Sequence, residues 1–298
     1  MLYTALLVGV TAVWGWTFVI VKDAVEDYSV LGFLTIRFAI AALAVGVFAG
    51  RRLTRKTLQV GSGIGLALAA GYYLQTLGLR YTTPTNSGLI TGLFVVFTPI
   101  ADRLLFGARP TRLAALSVAS GVFGMALLTG SAPSSLRFGD ALTLGCAAAY
   151  GVHIALLSRY AGRHDVVALT FAQLLACAVV FGAAWVATEP VVAPPREAWF
   201  AILTTAILAS AVGFFVQTTV QSRIPAVRTA VIITTEPMFA TLFGYLLAGD
   251  RLLPIQLFGA SLILGALFLS EVIPLVHRHV NRIGLKGTAD VHETIRSD

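Results

Sequence analysis

Long apolar runs order this chain. Ten of them fall near 3–21, 30–50, 58–79, 83–106, 112–130, 138–158, 166–187, 198–221, 226–248 and 254–275. A helix rises 1.5 Å per residue, so about 20 apolar residues cover the roughly 30 Å hydrocarbon layer of a bilayer. Each run therefore predicts a membrane-spanning helix. The connections are short and carry charge, Pro or Gly, as in "KDAVEDYS", "RRLTRKT", "RYTTP", "TEPVVAPPRE" and "SRIPAVR". None is long enough to hold a soluble domain. The first run has no Lys or Arg before it and no small-residue cleavage site after it, so it is expected to be a helix and not a leader. The polar tail at 276–298 is expected to be disordered.

Composition agrees with the runs. Of the 298 residues, 57% are hydrophobic and 12% charged, against about 25% charged in a soluble domain. The net charge of +7 would suit a nucleic-acid partner, but its placement does not. With the N-terminus set in the cytoplasm, 15 of the 21 Lys and Arg lie on the inner side, five on the outer side, and Arg37 within the second run. That bias is the positive-inside rule, and it places both termini in the cytoplasm of a prokaryotic plasma membrane. The partners expected are the bilayer and a small-molecule substrate, not nucleic acid. Cys146 and Cys177 lie inside apolar runs without a metal-ligating cluster, so neither a disulfide nor a metal site is expected, and no cofactor.

The two halves repeat. "VWGWTF" (13–18) matches "AYGVHI" (149–154), and "FLTIRF" (33–38) matches "ALTFAQ" (168–173), which sets Arg37 opposite Gln173 at an offset of 136. "YLQTLGLRYTTP" (73–84) resembles "FVQTTVQSRIPA" (215–226), with Gln75 opposite Gln217. Residues 1–130 and 131–275 thus each hold five helices. An odd number inserts the second copy from the opposite side. The predicted fold is all-α and integral to the membrane: ten transmembrane helices as an inverted five-plus-five repeat around a central cavity, with the site near the midplane.

"WGWTF" in the first run, an Arg in the second, "GLRYTTPTNSGLITGLFVVFTP" across the third and fourth, and "EPMFATLFGYLLAGDRLLPIQLFGASLILGALFL" across the ninth and tenth resemble the EamA family of the drug/metabolite transporter superfamily. The resemblance covers residues 1–275. It implies a ten-helix, exporter-like carrier of amino acids, metabolites or drugs. Two features depart from the family pattern: Asp102 and Arg103 stand in the fourth run where the pattern is apolar, and Pro99 lies one turn later than Pro237 under a 142-residue offset.

The residue that most needs an explanation is Glu236, in the middle of "VIITTEPMFATLFG". If the ninth helix starts at Pro225, Glu236 lies about 16 Å deep. An ionised carboxylate there costs at least about 2.5–3.5 kcal/mol. It must face a wet cavity, find a cation or hold a proton. Proton exchange at that depth is what a proton-coupled carrier requires; the bland alternative is a carboxyl that only stitches helices together. Arg37, about 10 Å deep, is either its counter-charge, a group for an anionic substrate, or a snorkelling side chain. Pro99 and Pro237 each free a carbonyl one turn earlier and are hinge candidates or fixed bends.

Trp14, Trp16, Tyr72, Tyr73 and Tyr150 are mid-membrane aromatics that line the cavity or pack helices; Trp14 and Tyr150 hold matching repeat positions. Gln75, Asn86, Gln173, Gln217 and Gln221 hydrogen-bond either across helices or to substrate. His153 reads as packing, and Lys22, Asp102 and Arg103 as snorkelling side chains near helix ends. Ser117 with Gly121, and Ser261 with Gly265, give small-residue faces suited to a homodimer or to packing within a monomer. The candidate substrate-binding set is Trp14, Arg37, Gln75, Tyr150, Gln217 and Glu236.

The expected function is alternating-access export of a small metabolite, amino acid or drug, with Glu236 as the proton carrier. An uncoupled facilitator or an exchanger of anionic metabolites is the rival. A membrane enzyme or scramblase is disfavoured, since no metal cluster, nucleotide loop or Ser/His/Asp set is present in the polar loops.

Overall fold

The computed structural model describes residues 2–108, 112–129 and 138–247, with scattered positions from 249 to 265. The tail, most of the tenth run and the connection at 130–137 lie outside the described residues. Every element is helical among those described: α1 (Leu2–Ala24), α2 (Val30–Ala49), α3 (Arg55–Leu79), α4 (Pro84–Thr91), α5 (Phe94–Phe106), α6 (Arg112–Thr129), α7 (Phe138–Tyr160), α8 (Val166–Thr188), α9 (Ala198–Thr204), α10 (Gly213–Gln221), α11 (Ala226–Ile233) and α12 (Thr235–Leu247). A π-helical segment, Thr205–Val212, joins α9 to α10.

Among the described residues, seven stretches are long and apolar enough to cross a membrane: Leu2–Ala24, Val30–Arg52, Pro84–Phe106, Phe138–Arg163, Val166–Thr188, Ala198–Gln221 and Ala226–Leu247. They match seven of the ten predicted runs. The third run lies within the 25-residue α3, which carries Arg55, Lys56, Gln59 and Gln75, and the fifth forms the 18-residue α6; neither is among the seven.

The helices begin where side chains can satisfy free backbone donors. Ser29 accepts from the Gly32 amide, Thr54 from Thr57, Thr83 from Asn86, and Asp165 from Ala168. The bundle is inside-out relative to a soluble protein. Val47 and Leu104 are each 80% exposed, whereas Arg37, His153, Gln173 and Gln217 are at most 2% exposed. Apolar groups on the outside belong against lipid, and polar groups inside need one another or a ligand.

Two close crossings set the frame. On α1, a Cβ added to Gly15 would lie 2.6 Å from Phe239 Cβ and 2.7 Å from the Ala240 nitrogen of α12. On α7, a Cβ at Gly151 would lie 2.6 Å from Phe97 Cβ and 2.9 Å from the Thr98 nitrogen of α5. Only glycine allows backbones this close.

Three predicted single helices are broken. The fourth run divides at Gly92–Leu93 and the ninth at Thr234, in each case after an eight-residue helix and before one of 13 residues. The eighth run contains the π segment. Pro237 sits in the first turn of α12, where its missing N–H leaves the Ile233 carbonyl without its helical donor. Pro99 lies inside continuous α5, and the break comes before it, where the Leu93 and Val95 amides tighten onto the Ile90 and Gly92 carbonyls. A poor helix former, Gly92, sits at that point.

Candidate functional site

A cavity lies between the helices. Its wall takes Trp14 from α1, Arg37 from α2, Tyr72 and Gln75 from α3, Phe94 from α5, Tyr150 and His153 from α7, Phe214 and Gln217 from α10, Ile233 from α11 and Glu236 from α12. All six residues of the candidate binding set meet there.

The π segment organises one wall. The Trp14 indole donates to the Ala209 carbonyl at 2.8 Å, and Arg37 Nε donates to the Ser210 hydroxyl at 2.9 Å. The Arg37 guanidinium also donates to the Tyr72 hydroxyl at 3.2 Å and lies 4.6 Å from the centre of that ring. A cation over an aromatic face is electrostatically attracted. Arg37 is 2% exposed, so it does not snorkel to the surface. It makes no ion pair with Glu236 either; an ion pair among the described residues joins Arg52 to Asp165 at 4.0 Å. The counter-charge expectation is therefore corrected: π-helical winding aims the Ser210 hydroxyl at Arg37, and hydroxyl and ring hold the cation instead of the carboxylate.

Glu236 sits in the first turn of α12, buried, with no hydrogen bond to another described side chain. The break at Thr234 turns it to the cavity. There the hydroxyls of Thr234 and Thr235 donate back to the Val231 and Ile232 carbonyls, and the Thr235 hydroxyl meets that of Thr11 at 2.7 Å. The first turn of a helix favours negative charge, because its free N–H groups point that way.

Gln75 donates to the Thr91 hydroxyl at 3.1 Å and accepts from the Tyr150 hydroxyl at 3.3 Å. Phe214 packs against Trp14, Tyr72 and His153, with ring centroids 5.6, 5.9 and 6.0 Å apart.

Other expectations resolve differently. Trp16 packs on Phe200, away from the cavity, and Tyr73 is 37% exposed on the outer face. Gln173 is bound to His153 of α7 and Gln221 to the Ile154 carbonyl of α7, and neither lines the cavity. Asn86 is half-buried in the first turn of α4. Lys22 does not snorkel: its ammonium donates to the Leu79 carbonyl at 2.7 Å, at the C-terminus of α3, where the helix dipole favours a cation. The side chains of Ser117 and Gly121 lie outside the described residues. Ser210, His153 and Phe214 were absent from the binding set. Only the π winding singles out Ser210, and nothing in its sequence context marks it.

A cavity that gathers buried polar and charged side chains inside an apolar-surfaced bundle defines a multi-pass membrane protein. The model of the EamA-like transporter family matches residues 1–130 and 137–271, and the chain belongs to that family. It is 35% identical over 260 residues to an uncharacterized transporter of Archaeoglobus fulgidus, covering 87% of this chain and 82% of the relative. It is 22% identical over 280 residues to the uncharacterized transporter YoaV of Bacillus subtilis, covering 89% and 94%. A solved crystal structure aligns with a TM-score of 0.71 at 20% identity, over 90% of this chain and 96% of the other, which speaks for the fold alone.

Proposed function

We propose that the protein is a secondary transporter that exports small metabolites, amino acids or drugs by alternating access around this cavity. The observation that carries the reading is a buried cavity faced by both Arg37 and Glu236, which are not spent on each other. A buried charge without a close partner is costly, and it is kept where a guest or a proton completes it. Glu236 is the proton carrier of this reading, and the break before Pro237 is the hinge beside it.

The proposed frame is ten helices in an inverted five-plus-five repeat, with both termini in the cytoplasm of a prokaryotic plasma membrane. The paired breaks at 92–93 and 234 support it, as do the two glycine crossings and the two separate family matches. Broken helices at a cavity are a recurrent feature of carriers.

A second reading draws on Arg37. Its two hydrogen bonds leave further N–H donors for an anion, which favours an uncoupled exchanger of anionic metabolites. Purified protein in proteoliposomes, screened with candidate substrates with and without an imposed pH gradient, decides. Accumulation that follows the gradient supports proton coupling. Exchange of anions indifferent to the gradient supports the second reading, and no flux for any substrate class removes both.

A further inference from the structure

Among the described residues, four buried side-chain polar atoms lack a hydrogen-bond partner: Ser87 Oγ, Trp185 Nε1, Gln217 Oε1 and Thr229 Oγ1. Of these residues only Gln217 lines the cavity. Burying an acceptor without a partner costs about 1–3 kcal/mol, so its orientation needs a cause.

The cause is a relay of amides. Gln221, one turn further along α10, donates through its Nε2 to the Ile154 carbonyl at 2.8 Å and to the Ser158 hydroxyl at 2.5 Å. A backbone carbonyl only accepts, so the nitrogen end of Gln221 is fixed there and its oxygen faces Gln217. That oxygen requires a donor, and Gln217 supplies its Nε2 at 2.8 Å. Gln217 Oε1 is then the end left over.

A second relay does the same to His153. Gln173 donates to the Leu169 carbonyl at 3.2 Å, which leaves its oxygen to accept from His153 Nε2 at 2.9 Å. The imidazole proton is therefore on Nε2, and Nδ1 is the lone-pair nitrogen, with no described protein partner. His153 and Ile154 are adjacent on α7, and Gln221 anchors on Ile154, so both relays reach the cavity wall that α7 and α10 share. The ring of Phe214 on α10 packs against His153, and against Trp14 and Tyr72.

We propose that Gln217 Oε1 and His153 Nδ1 form an acceptor subsite that binds the N–H groups of an ammonium on a substrate with an apolar body. Two lone pairs left without a protein partner by separate relays match a group with several N–H donors. Aromatic faces attract the same positive charge, and the Glu236 carboxyl opens into the same cavity. A carboxylate or phosphate would meet only lone pairs here. Gln221 and Gln173 are positioning residues: they touch no cavity atom but determine which atoms face the guest.

The proposal rests on the transport reading for its biology and not for its binding test. The probes are 2-phenylethylamine, its N,N,N-trimethyl derivative, which keeps the charge without N–H donors, and 3-phenylpropanoate. Binding to detergent-purified protein is followed by tryptophan fluorescence, and counterflow is measured separately in proteoliposomes. The amine should bind at least about tenfold more tightly than the trimethyl derivative, the difference of one hydrogen bond to a charged group. Gln217→Met, close in size and without the acceptor, should bring the two cations within about threefold of each other. Unchanged affinity for the trimethyl derivative in that variant shows an intact fold. Gln221→Leu should also erode the preference although Gln217 is still present, which a merely structural Gln221 would not do.

Equal binding of the two cations, an undiminished preference in Gln217→Met, binding of the propanoate alone, or binding of no probe overturns the subsite. Amine-selective binding without counterflow leaves the subsite standing and removes the transport reading. Counterflow of the propanoate alone does the reverse.

Discussion

The regions α4–α5 and α11–α12 share a backbone and differ in chemistry. Each is an eight-residue helix, a break, and a 13-residue helix. Glu236 stands 142 positions after Phe94, and both line the cavity just past their breaks. The first break forms at a glycine and the second beside a proline, so different local causes lead to one shape. A second contrast runs the other way. Arg37 of α2 faces the cavity, while Gln173, 136 positions later in α8, is buried against His153. The first half contributes the cation and the second the carboxyl. Similar broken backbones thus carry unlike charges, and the asymmetry gives the cavity its polarity.

The sharpest way to break the comparison is to erase its chemical difference. Glu236→Gln keeps shape and hydrogen bonding but cannot titrate. It should fold, bind substrate and retain counterflow, yet lose accumulation driven by a pH gradient. Unchanged gradient-driven uptake removes Glu236 from coupling. The mirror change, Phe94→Glu, places a second carboxyl at the matching site without the proline break. Thermal unfolding in detergent should register a loss of about 2.5–3.5 kcal/mol; a neutral outcome means that both breaks tolerate charge equally.

Next come the shared crossings. Gly15→Ala and Gly151→Ala push a methyl into backbone, which cannot yield as a flexible side chain does. Each should destabilise by about 1–3 kcal/mol, and by similar amounts. Unequal losses in the same unfolding assay mean that the halves do not share a frame.

Arg37→Gln should cost roughly 1–3 kcal/mol through its lost bonds to Ser210 and Tyr72. Since Arg37 and Glu236 are not ion-paired, a double-mutant cycle on stability should give a coupling below about 0.5 kcal/mol. A larger coupling means that the two meet in another conformation.

The smallest effect lies in the connections before α2 and α8. Ser29 and Asp165, 136 positions apart, are both N-caps, and the residues just before them are Tyr28 and His164. Burial, with Lys56 and Arg163 nearby, lowers the His164 pKa below its usual value of 6.5. The folded state therefore binds its proton less readily than the unfolded chain. Its contribution to stability is intact above 6.5 and diminishes as pH falls through that value. Burial, and then Glu189, raises the Tyr28 pKa above 10.0, so the folded state resists deprotonation and loses stability only as pH rises past 10.0. His164→Gln should slightly flatten the acid side of a Tm-against-pH curve, and Tyr28→Phe the alkaline side. A crossed result overturns the assignment.

Much of this was legible in the chain. Run length identified seven spans among the described residues, because a helix that crosses a bilayer needs about 20 largely apolar residues. Glu236 and Arg37 stood out because charge at membrane depth is costly wherever it points. The matched words of the two halves are what points to the proposed repeat. Three things were decided only by tertiary structure. The break at Gly92 came before the proline thought to mark it, because a helix yields where its hydrogen bonds are weakest in context. Arg37 took Ser210 and Tyr72 and not Glu236, because π winding in another helix set the hydroxyl within reach. The free ends of Gln217 and His153 were fixed by amides on α10 and α8. A glutamine presents a donor and an acceptor of nearly equal shape, so its sequence position says that it is polar, and only its neighbours determine which atom it offers.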